Sequence, residues 1–328
     1  MKKTIGIYYE HPEWFRPLFA ALDRRGLDYE KIDAASHFYN PADLGKYPLF
    51  FNRMSASAYL RGNANAVFYT RGLLASLEKA GARVINGYEA FQIEISKALQ
   101  TALFSSLKIK FPETRVVNSI AQITRAARDL AFPVIVKPNI GGRGAGIVKF
   151  DSLADLETAV AERLFDLGID QTALIQEFAP KRGGHINRVE TLNGKFLYAL
   201  KIYPQGENFN LCPAEVCLIE NQPAATEICL VDAPKSGLKI ESFAPPPEII
   251  ETVERIVRAA KIDVGGVEYL IDDRTGDALF YDINALSNFV ADAVNLVGFD
   301  PHENLVDFLE EELEKCDTDT GCLSSAAG

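Results

Sequence analysis

Between Ile140 and Ile147 four glycines, Gly141, Gly142, Gly144 and Gly146, are interrupted by Arg143 and Ala145. Such a run cannot form regular structure. It lets backbone N–H groups approach an anion closely, and phosphate is the usual one. Lys137 stands at the entrance and Arg143 within the loop, so a triphosphate would meet fixed donors and mobile cations. A plain flexible hairpin is the competing reading. The dinucleotide fingerprint does not fit, because residues 146–150 return to β-type after the loop where that fingerprint needs a helix. The Lys-Ser/Thr ending of a P-loop is absent as well.

A second group lies in VGGVEYLIDDRTGDALFYDINALSNF, 264–289, whose apolar arms flank a polar middle. Turned about Arg274–Gly276, this hairpin sets Glu268 opposite Asp282, with Asn284 two residues on and on the same face. Two carboxylates side by side in an apolar hairpin are costly without a cation. A divalent ion shared with nucleotide phosphates is how magnesium is usually held. Otherwise the three side chains only satisfy backbone groups.

A third group lies in RGGHINRVETLNGKFLYALKIY, 182–203, where Asn193-Gly194 is a strong hairpin signal. With that pair as a two-residue turn, Leu192 faces Lys195, Arg188 faces Ala199 and Ile186 faces Lys201. Arg188, Glu190 and Lys201 then share one strand face. That face is either solvated surface or functional.

These groups need a frame. Thr4–Tyr8 reads as a strand, Trp14–Arg25 as an amphipathic helix ended by Gly26, and Asp28–Ile32 as a second strand, which points to a parallel α/β layer. The strand Pro48–Asn52 closes on Arg53, whose loop faces the ligand crevice expected at such strand ends. A helix over 66–80 and a strand at Arg83–Ile85 complete this first domain. A helix from Ser96 to Leu107 carries Lys97 in its first turn, where most lysines are solvated surface charges. A strand at Arg115–Asn118, helices over 119–130 and 153–165, and the strand Ala173–Phe178 surround the glycine loop. Residues 204–245 read as loops with short strands, and Glu248–Lys261 as an amphipathic helix.

A chain of 328 residues predicts about two domains. Its 48% hydrophobic and 24% charged composition is that of a globular protein. The net charge of −11 disfavours nucleic acid and anionic membrane surfaces as partners. No apolar run approaches the ~20 residues of a membrane span, and the opening residues predict no signal peptide. The five cysteines show no zinc spacing, which suits buried or incidental thiols in a reducing cytoplasm.

Lys97 in a helix, Lys137 before GGRGAG, the strand IQEF, Arg188 before an Asn-Gly hairpin, then Glu268 and Asp282-Ile283-Asn284 stand in a telling order. The set resembles the ATP-grasp superfamily, in its branch with RimK-type glutamate ligases and glutathione synthetases, from about Pro48 to Phe308. The resemblance implies an α/β and α+β chain with the ATP-grasp fold. A small parallel α/β domain would occupy 1–92 and an ATP-grasp domain 93–315, its lid subdomain at about 112–180. Residues 316–328 read as a disordered tail.

By the same resemblance, Lys97 and Lys137 hold the α- and β-phosphates of ATP beneath the glycine loop. Glu177 and the backbone of Phe178–Ala179, with Gln176 beside them, take the adenine edge. Arg188 and Lys201 neutralise charge near the γ-phosphate and act as the catalytic pair, while Glu268, Asp282 and Asn284 carry one or two magnesium ions. Substrate contacts fall on Arg53, Asn210 and Ser287. The implied activity is an ATP- and magnesium-dependent ligation of a small-molecule or peptide carboxylate to an amine through an acyl phosphate. Such chemistry needs positioning and charge neutralisation more than a protein nucleophile.

The chain also departs from that family. Ile186 stands where an acid two residues before the Arg is common. The segment GENFNL, 206–211, keeps Asn210 but lacks the usual Arg, and Ala-Leu-Ser-Asn follows Asn284 in place of a small-residue and proline run. Neither glutathione nor glutamate therefore carries over as substrate. A small-molecule kinase and a non-catalytic ATP-binding module stay open as alternatives, and so does a homo-oligomer.

Overall fold

Four parallel strands open the chain: β1 (Ile5–Tyr9), β2 (Tyr29–Asp33), β3 (Leu49–Arg53) and β4 (Arg83–Ile85), in the order β2-β1-β3-β4. The computed structural model describes residues 4–11, 13–142, 144–204 and 239–323. Both faces of this sheet are apolar, as a parallel sheet requires. Helix α1 (Arg16–Arg25) packs Leu18, Phe19 and Leu22 on Ile5, Ile7, Leu49 and Phe51, and stops at Gly26 in the left-handed region. Helix α2 (Ala64–Lys79) covers the other face, setting Val67, Leu73 and Leu74 against Tyr8 and Phe50. The short α3 (Tyr88–Glu94) leads into α4 (Lys97–Ser106), whose N-cap Ser96 accepts the Leu99 N–H at 3.2 Å. Lys97 is thus the first helical residue.

A second sheet is antiparallel, in the order β5-β8-β6-β7. It contains β5 (Thr114–Val117), β6 (Val134–Pro138), β7 (Val148–Phe150) and β8 (Ala173–Glu177), with α5 (Ile123–Ala127) and α6 (Leu153–Ala161) packed on one face. The glycine loop joins β6 to β7. The helix expected over 119–130 is only one 3-10 turn followed by α5.

The third sheet, also antiparallel, has the order β11-β10-β9-β12-β13. Its strands are β9 (Ile186–Leu192), β10 (Lys195–Tyr203), β11 (Lys239–Ser242), β12 (Val264–Ile271) and β13 (Ala278–Asn284). Val189, Ala199, Val267 and Ile283 point to one face and pack on α7 (Pro247–Ala259) through Val253, Ile256 and Val257. Arg188, Glu190 and Glu268 point to the other. Helices α8 (Ala293–Val297) and α9 (Pro301–Leu323) finish the chain.

Two expectations are corrected here. A bulge between Phe196 and Tyr198 shifts the β9–β10 pairing by one, so Arg188 faces Leu200 and Lys201 faces Asn187. Because side chains alternate, Lys201 falls on the face opposite Arg188. The tail expected to be disordered from 316 is instead helical to Leu323. The expected loops and short strands of 204–245 include β11, while 205–238 lie outside the described residues.

Candidate active site

The three sheets meet around one cleft, lined by Lys97, Lys137, the glycine loop, Glu177–Ala179, Arg188, Glu190, Glu268 and 281–284, with Ser55, Ser57 and Trp14 from the first domain. Lys97 reaches it from the start of α4, where its Nζ pairs with Asp282 Oδ1. Lys137 reaches it from β6 and donates to Gln176 Oε1 at 3.0 Å. Asn139 couples the two lysines. Its Oδ1 accepts the Ala98 N–H at 2.8 Å and its carbonyl accepts the Lys97 N–H at 3.2 Å. The base of the glycine loop is therefore tied to the first turn of α4.

Burial shapes the charge states. Lys137 is pushed down to about 7, first by burial and then by the neighbouring Lys97. Burial opposes the charge on Lys97 too, but Asp282, Glu268 and Glu94 hold its pKa above the usual lysine value. Glu94, at the end of α3, accepts the Ala285 N–H at 2.6 Å, and burial pushes it up to about 7. Arg188 bridges Glu190 Oε1 (Nε, 2.6 Å) and Glu268 Oε1 (Nη1, 3.1 Å).

Glu268 stands directly across from Asp282, and Asn284 across from Gly266 on the same face. Burial raises the pKa of Glu268; Arg188 opposes the shift and Asp282 adds to it. The Tyr281 hydroxyl donates to Glu268 Oε2 at 2.9 Å. A hard cation between two adjoining carboxylates would favour the ionised form of both. Asn284 Oδ1 also accepts the Leu286 N–H at 3.1 Å, which leaves it one lone pair for such an ion. The donor set fits a hard cation. Among the described residues no group of three or more His, Cys, Asp or Glu side chains forms a metal site of protein ligands alone.

The same layout of sheets occurs in solved structures. The ATP-grasp ligase PsnB, complexed with a minimal precursor, superposes with a TM-score of 0.64 at 19% identity, covering 95% of this chain and 100% of that one. The chain has the ATP-grasp fold. A further PsnB structure contains Mg and ADP with the precursor. The RimK domain ATP-grasp protein of Sphaerobacter thermophilus DSM 20745 gives a TM-score of 0.62 at 17% identity, over 92% of this chain and 98% of that one. By sequence, the chain is 27% identical over 200 residues to a D-alanine–D-alanine ligase of Haemophilus influenzae (strain PittEE). That match covers 60% of this chain and 62% of the relative, under two thirds of its length. No protein-family model matches.

The ATP-grasp cleft gathers most of the residues picked out from sequence, with clear exceptions. Lys201 is outside it, its Nζ 5.3 Å from the Phe243 ring centroid on the far face of the sheet. Arg53 and Ser287 lie behind the wall. There Arg53 Nη2 donates to the Ser287 carbonyl and, at 3.0 Å, to Asn288 Oδ1, so the two brace the first domain against the loop after β13. Glu177 turns its Oε1 to the Ala131 N–H at 2.7 Å, and the Phe178 N–H is donated to the Pro133 carbonyl at 2.8 Å. Glu177, Phe178 and Ala179 all line the cleft. Arg143 and Asn210 lie outside the described residues.

Glu94, Tyr281 and the Ser55–Ser57 pair, whose hydroxyls are 2.8 Å apart, went unread in the sequence. None sits in a pattern. Glu190 did have a signal, its alternation with Arg188.

Proposed function

We propose that this chain is an ATP- and magnesium-dependent ligase that joins a carboxylate to an amine through an acyl phosphate, releasing ADP. The observation that carries it is the convergence of Lys97 and Lys137 on the Glu268–Asp282 pair, beneath a glycine loop. One wall can hold phosphates and the facing wall a hard cation. PsnB, seen with Mg and ADP, and the D-alanine–D-alanine ligase support the same reading.

In it, nucleotide enters beside Ala179 and its phosphates run past Lys137 and Lys97 toward Arg188. Glu268, Asp282 and Asn284 would hold magnesium, which supplies charge neutralisation for the phosphates. The substrate carboxylate attacks the γ-phosphorus and ADP leaves. The acceptor nitrogen, once its ammonium proton has passed to solvent, attacks the acyl carbon. Phosphate leaves with the C–O electron pair, and a second proton leaves the nitrogen to give the amide. Arg188, locked between two carboxylates, offers a fixed positive charge beside the phosphate that transfers. The number of ions, the cytoplasmic setting, and the carboxylate and amine partners belong to this proposal.

Incubation with ATP, magnesium, pooled carboxylates and hydroxylamine tests it. ADP release with trapped hydroxamate is expected. ADP without hydroxamate would mark a kinase, and ATP binding without ADP a non-catalytic module.

A further inference from the structure

The cleft face of the third sheet is a grid. Along β9, Ile186, Arg188 and Glu190 point to it in steps of about 6.8 Å. Arg188, Glu268 and Asp282 form the next row across three strands, and Glu190, Gly266 and Asn284 the row after it. If phosphates occupy the first of these rows, the groups that react beyond the γ-phosphate face the second.

That second row holds a buried carboxylate oxygen without a partner among the described residues. Glu190 is 1% exposed, and its Oε1 is taken by Arg188. Its Oε2 has no hydrogen-bond partner among the described residues. A buried oxygen left so is costly, and it marks a place for a donor. Gly266 lets the Glu190 carboxylate and the Arg188 guanidinium lie against the β12 backbone. A Cβ there would stand 2.8 Å from Glu190 Oε2 and 3.2 Å from Arg188 Nε. The Tyr198 hydroxyl, on the residue paired with Glu190, is turned to the Val290 N–H at 3.0 Å. Arg188 is already shared with Glu268 and Lys97 already engaged by Asp282, so neither side chain satisfies Glu190 Oε2.

We propose that Glu190 Oε2 seats the protonated amino group of the acceptor, which makes the acceptor a primary ammonium compound and Glu190 a specificity-determining residue. The word acceptor rests on the ligase reading. The ammonium site itself rests on the unpartnered Glu190 Oε2 in the lining of the cleft.

Binding measured without turnover tests the site alone. The full chain is loaded with magnesium and a non-hydrolysable ATP analogue, and n-butylammonium chloride is titrated by saturation-transfer NMR. Tetramethylammonium chloride, equal in charge but without N–H donors, is the control. Wild type should bind butylammonium in clear preference to tetramethylammonium. Glu190→Gln should weaken butylammonium binding about ten- to a hundredfold, the range for a charge-assisted hydrogen bond. Gly266→Ala, whose Cβ would push the Glu190 carboxylate aside, should weaken it as well. Equal binding of the two cations by wild type, or unchanged binding in a folded Glu190→Gln protein, would overturn the proposal. Hydroxylamine is uncharged at pH 8 and needs no ammonium site. Failure of hydroxamate trapping therefore sinks the ligase reading and leaves this site standing, and the reverse also holds.

Discussion

Glu268 and Asp282 face each other across β12 and β13 only because Tyr281 is an extra residue in its strand. Near the turn, Ile271 pairs with Ala278, Leu270 with Leu279 and Tyr269 with Phe280. Continued unchanged, that register would set Glu268 against Tyr281 and turn Asp282 away. The bulge adds one residue and returns both acids to the cleft face.

Asp282→Asn keeps the shape and removes one charge from the proposed magnesium pair. Turnover should fall by at least about a hundredfold, as when a preorganised charge contact is lost from an active site. The same change removes the ion-pair partner of Lys97 and leaves its charge to Glu268 and Glu94. The melting temperature should therefore drop, since breaking one side of a part-buried ion pair leaves a charge less well compensated. ADP release and a thermal melt read the two effects. Near-normal turnover would remove Asp282 from the reaction.

Lys137→Ala should weaken ATP binding about ten- to a hundredfold, the worth of a charge-assisted contact to phosphate. Lys137 is held near 7 in the empty cleft, and bound phosphates would raise it. At pH 8, ATP binding to the wild type should take up a proton, and to Lys137→Ala should take up less. Calorimetry in buffers of different ionisation heat measures this. Equal proton uptake by the two would place Lys137 away from the phosphates.

Gly146 adopts φ +73°, and a Cβ there would lie 2.9 Å from Pro138 Cγ. Gly146→Ala should thus distort the loop between β6 and β7, where an alanine pays for both the left-handed backbone and the clash. ATP affinity should fall while the far-ultraviolet circular dichroism spectrum stays unchanged. Gly141→Ala is the control, because its nearest neighbour would be at 3.8 Å. Equal affinity for the two variants would count against close packing of the loop.

Glu94 is raised to about 7 by burial, so it binds its proton more tightly folded than unfolded. Its contribution to stability is full below the ordinary carboxylate range and is lost as pH rises through about 7. Lys137 works in the other window. Its lowered pKa costs stability below about 7 and recovers as pH climbs toward the ordinary lysine value. Glu94→Gln should melt above the wild type at pH 8 and level with it at about pH 4. Lys137→Met should melt above the wild type at pH 6, with the gap closing by pH 10. Thermal melts across that range, without nucleotide, decide it.

What could be read from the sequence was local. The glycine run between two strands, the alternation that put Glu268, Asp282 and Asn284 on one face, and the Asn193-Gly194 turn each follow from dihedral preference and a period of two. The parallel first domain followed from the strand–helix–strand order. Two bulges then divided the outcome. The one at Tyr281 left the acid pair where a simple turn had set it, while the one between Phe196 and Tyr198 sent Lys201 to the far face. Nothing in either strand announces the extra residue, because a bulge is chosen by what the neighbouring strands and core can accommodate. Tertiary packing also decided the rest: Asn139 tying the glycine loop to α4, Arg53 turned onto Ser287, and Glu94 brought under Ala285. Each joins residues more than 40 positions apart, so only the meeting of the three sheets, burying polar groups that must then find partners, could bring them together.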